Sequence, residues 1–512
     1  MKKITIISII ALTMFSSCKR NFDEPNPNAL TISNFWTTES DAIKGVNAVY
    51  STLHRQASVY SRWMFYHRIL RSDEGFGSGG DGGLNNLMSF VQTDYNNALT
   101  AETWQNLYVG VFRANQALAN IPDINMDANL KKRLIAEAKF LRGFFYFDLT
   151  LFWGRPPLML EPSRPTDQPG NATNDEAWAQ VVKDFTEAAA DLPESYASTP
   201  NEIGRATKGA AYAFIGKAYM QQSKYQQAAD AFNWLVEGPG KAIYDLMPNY
   251  RDNFLVSTEN NKESVFELQF ALKSNENGDD DVNEAINLNS GASIAQFFAP
   301  PGVGFNDGAA RKRWLVDTFL LEKTATNQRD PRLAASFIFD STDERGANFT
   351  MVYGQTFASR GLNSGAMWFR KLLNDHWKNI EGFSSGNNYR MIRYADVLLM
   401  YAEALNGINR TADAYQYVNK VRARVGMSPL PAGMNQARFL TQIKHERIVE
   451  LAGEGWRWAD LLRWGDLSAA NLPVLKARDP EFTNFTVGKN EYYPIPQGDI
   501  DLNPNLKQNP NF

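Results

Sequence analysis

The sequence predicts a mainly α-helical fold in which tetratricopeptide-like helical hairpins wind into a right-handed superhelix and carry an irregular, loop-rich lobe with short strands. One observation is a hairpin with small residues where helices must approach: Ala210-Ala211-Tyr212 through Gly216-Lys217-Ala218-Tyr219, a turn near Ser223, then Tyr225 through Ala228-Ala229-Asp230-Ala231-Phe232. Such a hairpin cannot bury its faces alone, so several must stack. The other is that helical periodicity fades between Tyr244 and Thr356, where turn formers and aromatics alternate irregularly.

In chain order, Met1-Lys2-Lys3 and the apolar run Ile4 to Phe15, too short to span a bilayer, predict a lipoprotein signal peptide over residues 1–17. Ser16-Ser17 supplies the small residues before the cut, and Cys18, the one cysteine of the chain, is the expected lipidation site. Residues 18–30 are polar, hold Pro25 and Pro27, and read as an extended tether. The rest is expected to divide into an N-terminal helical region, 31–260, and a C-terminal region, 261–512. Helices are expected over Thr31 to Leu53, Thr103 to Ile121, Ala128 to Phe152 and Thr173 to Leu192, ahead of the hairpin at Thr207 to Glu237. The Ala128 helix buries Leu134, Ala138, Leu141, Phe145 and Leu149, pairs Arg133 with Glu137 on its outer side, and stops at Gly154-Arg155-Pro156-Pro157. Arg71 to Asn97, with six glycines between Gly75 and Gly83, reads as a flexible binding-face loop. Ser264 to Phe270 alternates like a short strand. Three helices follow: Tyr389 to Asn406, largely apolar on every side and therefore buried; Ala412 to Val425; and Gln436 to Trp464, interrupted at Gly453 and Gly455.

On an unbroken last helix Glu446, Glu450 and Glu454 would stack one turn apart, and like charges at that spacing repel. Basic partners are therefore expected, locally from Arg447, Arg457 and Arg463 and from neighbouring helices through Arg393, Arg422 and Arg424. The competing reading is a carboxylate pair for acid/base cleavage of a glycosidic bond. Other catalytic patterns fail on context. Gly75 to Gly80 fits a dinucleotide fingerprint without the strand before it and the helix after it. Gly382-Phe383-Ser384-Ser385-Gly386 lacks a strand and an elbow helix. His445-Glu446 has Val449 where a zinc-binding histidine would stand, and Asp279 to Glu284 departs from calcium-loop spacing. No metal and no cofactor is expected.

A net charge of −4 and the absence of any Arg/Lys-rich run exclude a field for nucleic acid. The 12 tryptophans, 20 tyrosines and 32 phenylalanines supply a core with some rings to spare for ligand stacking. The blocks Arg393-Tyr394-Ala395-Asp396-Val397-Leu398-Leu399-Met400-Tyr401-Ala402-Glu403-Ala404-Leu405-Asn406, Asn419 to Gly426, Glu446 to Trp464 and Gln508-Asn509-Pro510-Asn511-Phe512, with Ala136 to Arg142 in the N-terminal half, resemble the RagB/SusD family of Bacteroidetes outer-membrane nutrient-binding lipoproteins. Asp23-Glu24 beside Cys18 resembles that group's surface-export signal. The resemblance implies a non-catalytic, lipid-anchored protein on the extracellular side of the outer membrane. It also implies capture of a nutrient, foremost a glycan or oligosaccharide, and a SusC-like TonB-dependent transporter as partner. A peptide cargo and an all-helical glycoside hydrolase are the alternatives. Loop aromatics with polar neighbours give the binding candidates Asp73, Phe76, Asn86, Phe297, Phe298, Trp314 and Trp368.

Overall fold

The computed structural model describes residues 35–54, 60–78, 83–92, 94–164, 166–271, 291–310, 313–340, 351–363 and 365–512. The signal peptide, Cys18, the tether and the acidic Asp279 to Glu284 stretch lie outside these residues.

The helical frame consists of α1 (Glu39–Tyr50), α2 (Ala98–Asn120), α3 (Ala128–Trp153), α4 (Asn174–Asp191), α5 (Lys208–Gln221) and α6 (Tyr225–Val236), continued after the lobe by α8 (Tyr394–Gly407), α9 (Thr411–Arg424) and α10 (Gln436–Leu451). Local chemistry sets their starts. Thr38 with Asp41 and Thr173 with Glu176 form reciprocal capping boxes at α1 and α4. Asp127 caps α3, which ends at Gly154 with φ +73°. Each helix packs against the next through α6, which then packs on α8, so the stack passes from one half of the chain to the other. The hairpin α5/α6 closes tightly: a Cβ on Gly216 would stand 2.4 Å from the Phe232 ring.

Within the lobe lie the helices α7 (Arg313–Leu320) and α11 (Arg457–Arg463) and four two-stranded antiparallel sheets. They pair β1 (Phe76–Gly77) with β3 (Gly308–Ala309), β2 (Ser264–Leu268) with β8 (Tyr389–Arg393), β4 (Phe337–Phe339) with β7 (Met367–Phe369), and β5 (Met351–Val352) with β6 (Gln355–Thr356). One buried core runs from Ala42 to Leu506 without a break at residue 260. Phe266 of β2, for example, meets Phe140 of α3 with ring centres 5.1 Å apart.

Several expectations shift. Tyr389–Arg393 is a strand, not the first turn of a helix, because it pairs with β2 and is buried at all five positions, which erases the period that marks a strand. The last helix ends at Leu451, and Gly453 and Gly455 at φ +75° turn the chain, so Glu454 leaves the stack of Glu446 and Glu450. Glu137 does meet Arg133, at 3.4 Å, but its side chain is fully buried rather than on an outer face. The stretch from Arg71 to Gly77 is likewise buried, and Leu84–Met88 within the expected loop is a short helix.

Candidate functional site

The glutamates that raised the acid/base question are saturated by cations. Glu450 meets Arg424 at 2.5 Å, Arg393 at 3.1 Å and Arg332 at 3.2 Å; Glu446 meets Arg422 and Arg332; Glu454 meets Arg393 at 2.7 Å and Lys371 at 2.8 Å. Burial alone would raise the Glu450 carboxyl, but the three guanidiniums outweigh it and hold it at about 2. A carboxylate so held gives up no proton near neutrality. Arg447, Arg457 and Arg463, expected to serve these glutamates, instead pair with Asp396 and Asp460, with Asp73, and with Glu403 and Asp460. Among the described residues, Glu322, His445 and Glu446 bring three ligand atoms within 4.8 Å of one another. Arg422 contacts both of those glutamates and Arg332 contacts Glu446, so two fixed positive charges oppose a cation there.

Two places on the lobe offer rings to a ligand. The first is a ledge made by the return of residues 304–309 against the short helix Ile294–Phe298. Phe305 N–H donates to the Gln296 carbonyl at 2.7 Å and Asp307 N–H to the Phe297 carbonyl at 2.8 Å. Gly304 permits the approach, since a Cβ there would stand 2.3 Å from the Gln296 carbonyl oxygen. Phe297, Phe305 and Phe383 then form a triangle with ring centres 5.3–5.9 Å apart. Phe297 is buried under the Arg62 guanidinium, 3.3 Å from its ring centre, whereas Phe305 is 51% exposed. The segment that supplies Phe383 also exposes Trp377 and Ile380, and Glu381 N–H ties it to the Val303 carbonyl at 3.0 Å. The ledge therefore presents apolar ring faces at the surface, as ligand sites commonly do.

The second is a cleft of about 460 Å³ whose wall is the half-buried indole of Trp314 at the start of α7. The indole N–H donates to the Asp73 carbonyl at 2.9 Å. The Arg457 and Arg478 guanidiniums lie 5.7 Å and 4.7 Å from its ring, and both bind the Asp73 carboxylate.

The seven candidates are thus distributed unevenly. Trp314 lines the cleft, and Asp73 stands behind it as a buried anion whose carboxyl burial would raise but whose arginine partners hold it below the usual range. Asn86 is exposed on the Leu84–Met88 helix. Phe297 underlies the ledge. Phe76 in β1, Phe298 against Tyr66, and Trp368, whose indole donates to Asn306 at 2.8 Å, are buried and offer no open face. Phe305, Trp377 and Phe383 were missed, although Pro300-Pro301-Gly302 and Gly382 mark both of their segments as turns.

Residues 262–512 match the SusD family model, and residues 82–220 match a second one described as starch-binding associating with outer membrane. A SusD-like protein of Formosa agariphila is 28% identical, with 98% of each chain covered. A SusD superfamily protein from Bacteroides vulgatus superposes with a TM-score of 0.81 at 26% identity, covering 93% of this chain and 100% of its own. A laminarin-binding SusD-like protein superposes with a TM-score of 0.75 at 27% identity, with the same coverage. Helical frame, lobe and signature helices together place the chain in the SusD family.

Proposed function

We propose that this protein is a non-catalytic glycan-binding lipoprotein of the outer-membrane surface. It is held there by a lipid on Cys18 and hands its cargo to a SusC-like TonB-dependent transporter. The observation that carries the binding role is the ledge, where Phe305 lies half out of the surface against the buried Phe297 and the half-buried Phe383. A sugar presents an apolar face of C–H groups, which suits a surface ring held in place by its ring neighbours. The likeness to a laminarin-binding SusD-like protein supports the same reading. The saturated Glu446, Glu450 and Glu454 network argues against the glycoside hydrolase alternative, because cleavage needs a carboxyl free to exchange a proton.

The test is affinity electrophoresis and calorimetry of the purified protein against a panel of polysaccharides, with product analysis for new reducing ends. Retardation by at least one glycan without cleavage is expected, and Phe305→Ala should weaken it roughly ten-fold, since a stacked ring contributes about 1 kcal/mol or more. New reducing ends would refute the non-catalytic reading, and silence across the panel would refute the glycan. Palmitate labelling lost in Cys18→Ala and co-purification with an outer-membrane barrel test the anchor and the partner.

A further inference from the structure

The Trp314 cleft has a chemistry that the ledge lacks. Asp73 is the only carboxylate bound by either Arg457 or Arg478 among the described residues. Arg457 holds it with Nε at 2.7 Å and Nη2 at 2.9 Å, and Arg478 adds Nη1 at 3.1 Å. Two guanidiniums thus share one anion, which leaves one positive charge uncompensated at the back of the cleft. Nη1 of Arg457 and Nε and Nη2 of Arg478 make no hydrogen bond to the described residues, and the Arg478 side chain is 26% exposed. The other charges lining the cleft are already matched: Lys444 with Asp466 at 2.9 Å, and Asp317 with Arg313 at 2.9 Å. Glu74, next to Asp73 in sequence, does not cancel the excess, because burial pushes its carboxyl up to about 8 and keeps it protonated at neutrality. The volume of about 460 Å³ falls within the range of small-ligand sites, about 300–1,000 Å³.

We propose that the Trp314 cleft binds one anionic sugar residue, its ring face on the indole and its carboxylate or sulfate ester on the free donors of Arg478 and Arg457. This rests on the glycan-binding reading and sharpens it. The acid group completes the unmatched pair of guanidiniums, a planar fork suited to oxyanions, and the indole fixes the sugar's orientation. Asp317 and Asp466, which also line the cleft, accept hydroxyl hydrogens.

The experiment is calorimetric titration of the full chain with three sets of oligosaccharides that share one backbone: neutral, uronate-bearing and sulfated. At least one acidic set is expected to bind ten-fold or more tightly than the neutral set, and which of the two does so identifies the acid group. Arg478→Gln should bring the acidic sets down to near parity with the neutral set, Arg478→Lys should restore part of the margin, and Trp314→Ala should weaken binding of the acidic set. Thermal melts establish that each variant is folded. If the neutral set binds as well as both acidic sets, or if folded Arg478→Gln keeps the acid preference, the proposal is overturned while glycan binding stands. Silence from all three sets overturns both.

Discussion

Glu74 is the side chain whose charge state the fold alters most usefully for a test. It is 2% exposed, it accepts the Gly453 N–H at 3.1 Å, and burial raises its carboxyl to about 8 against the opposing pull of Arg457. The folded chain therefore keeps a proton that the unfolded chain releases above about 4.5. Its contribution to stability is full below that value and drains away as pH rises towards 8, at roughly 1.4 kcal/mol per unit at most. Glu74→Gln keeps the acceptor and removes the proton, so the variant should gain on the wild type in melting temperature as pH rises from about 5 to about 8. Parallel pH curves for the two proteins would contradict this. At this scale the sequence was informative about pairing and silent about burial. Glu446, Glu450 and Glu454 demanded cations and have them, yet Arg332 and Lys371, far off in sequence, could not be picked out as donors. Phe298 and Trp368 have the same local context as Phe305, beside turn formers, and only the packing of the lobe decides which ring is covered.

Elements follow local rules where those rules are strong. The Thr173/Glu176 box starts α4 and the small residues of α5 let α6 lie close, and both are visible in the chain itself. At Gly216 the closeness can be measured against its alternative. A larger residue would gain helix propensity, about 1 kcal/mol for alanine and less for a β-branched residue, but its Cβ would begin 2.4 Å from the fully buried Phe232 ring. Overpacking costs about 1–3 kcal/mol and valine adds two further methyls, so the clash outweighs the propensity gain. Gly216→Val should therefore lower the urea midpoint without changing the slope of the transition; an unchanged or higher midpoint would show that α6 moves aside freely. β8 marks where local reading stops. Tyr389–Arg393 mixes apolar and basic residues without strict alternation, and Arg390 and Arg393 are buried because Glu267 of β2 and Glu263 just before it, more than a hundred residues earlier, are their partners.

At the scale of the molecule, the length of the chain argues for two lobes, and the signature blocks argue for the family, but neither reveals how the halves depend on each other. A stack of helical hairpins taken alone would tolerate division, since each repeat contacts only its neighbours. Here the contacts that cross residue 260 are buried charges as well as apolar faces. Lys217 of α5 is 2% exposed and has Asp396 of α8 as its ion-pair partner at 2.5 Å, with its Nζ 3.3 Å above the Trp456 ring. Asp73, in the N-terminal half, depends in the same way on Arg457. Removing one partner of such a pair costs about 3–5 kcal/mol, and two such losses, Lys217 and Asp73, approach the whole stability of a typical domain, about 5–15 kcal/mol. Residues 31–260 produced alone should therefore lack a cooperative melt and bind a dye for exposed apolar surface, while co-expression with 261–512 should recover a folded complex with one transition. The C-terminal fragment retains its arginine–glutamate network but loses the apolar bed of α3 and α5 under Phe266 and Trp456, so it too should melt without cooperativity. A sharp, reversible transition in the isolated 31–260 fragment would show instead that the hairpins stand by themselves and that the buried Lys217 and Asp73 find water when their partners are gone.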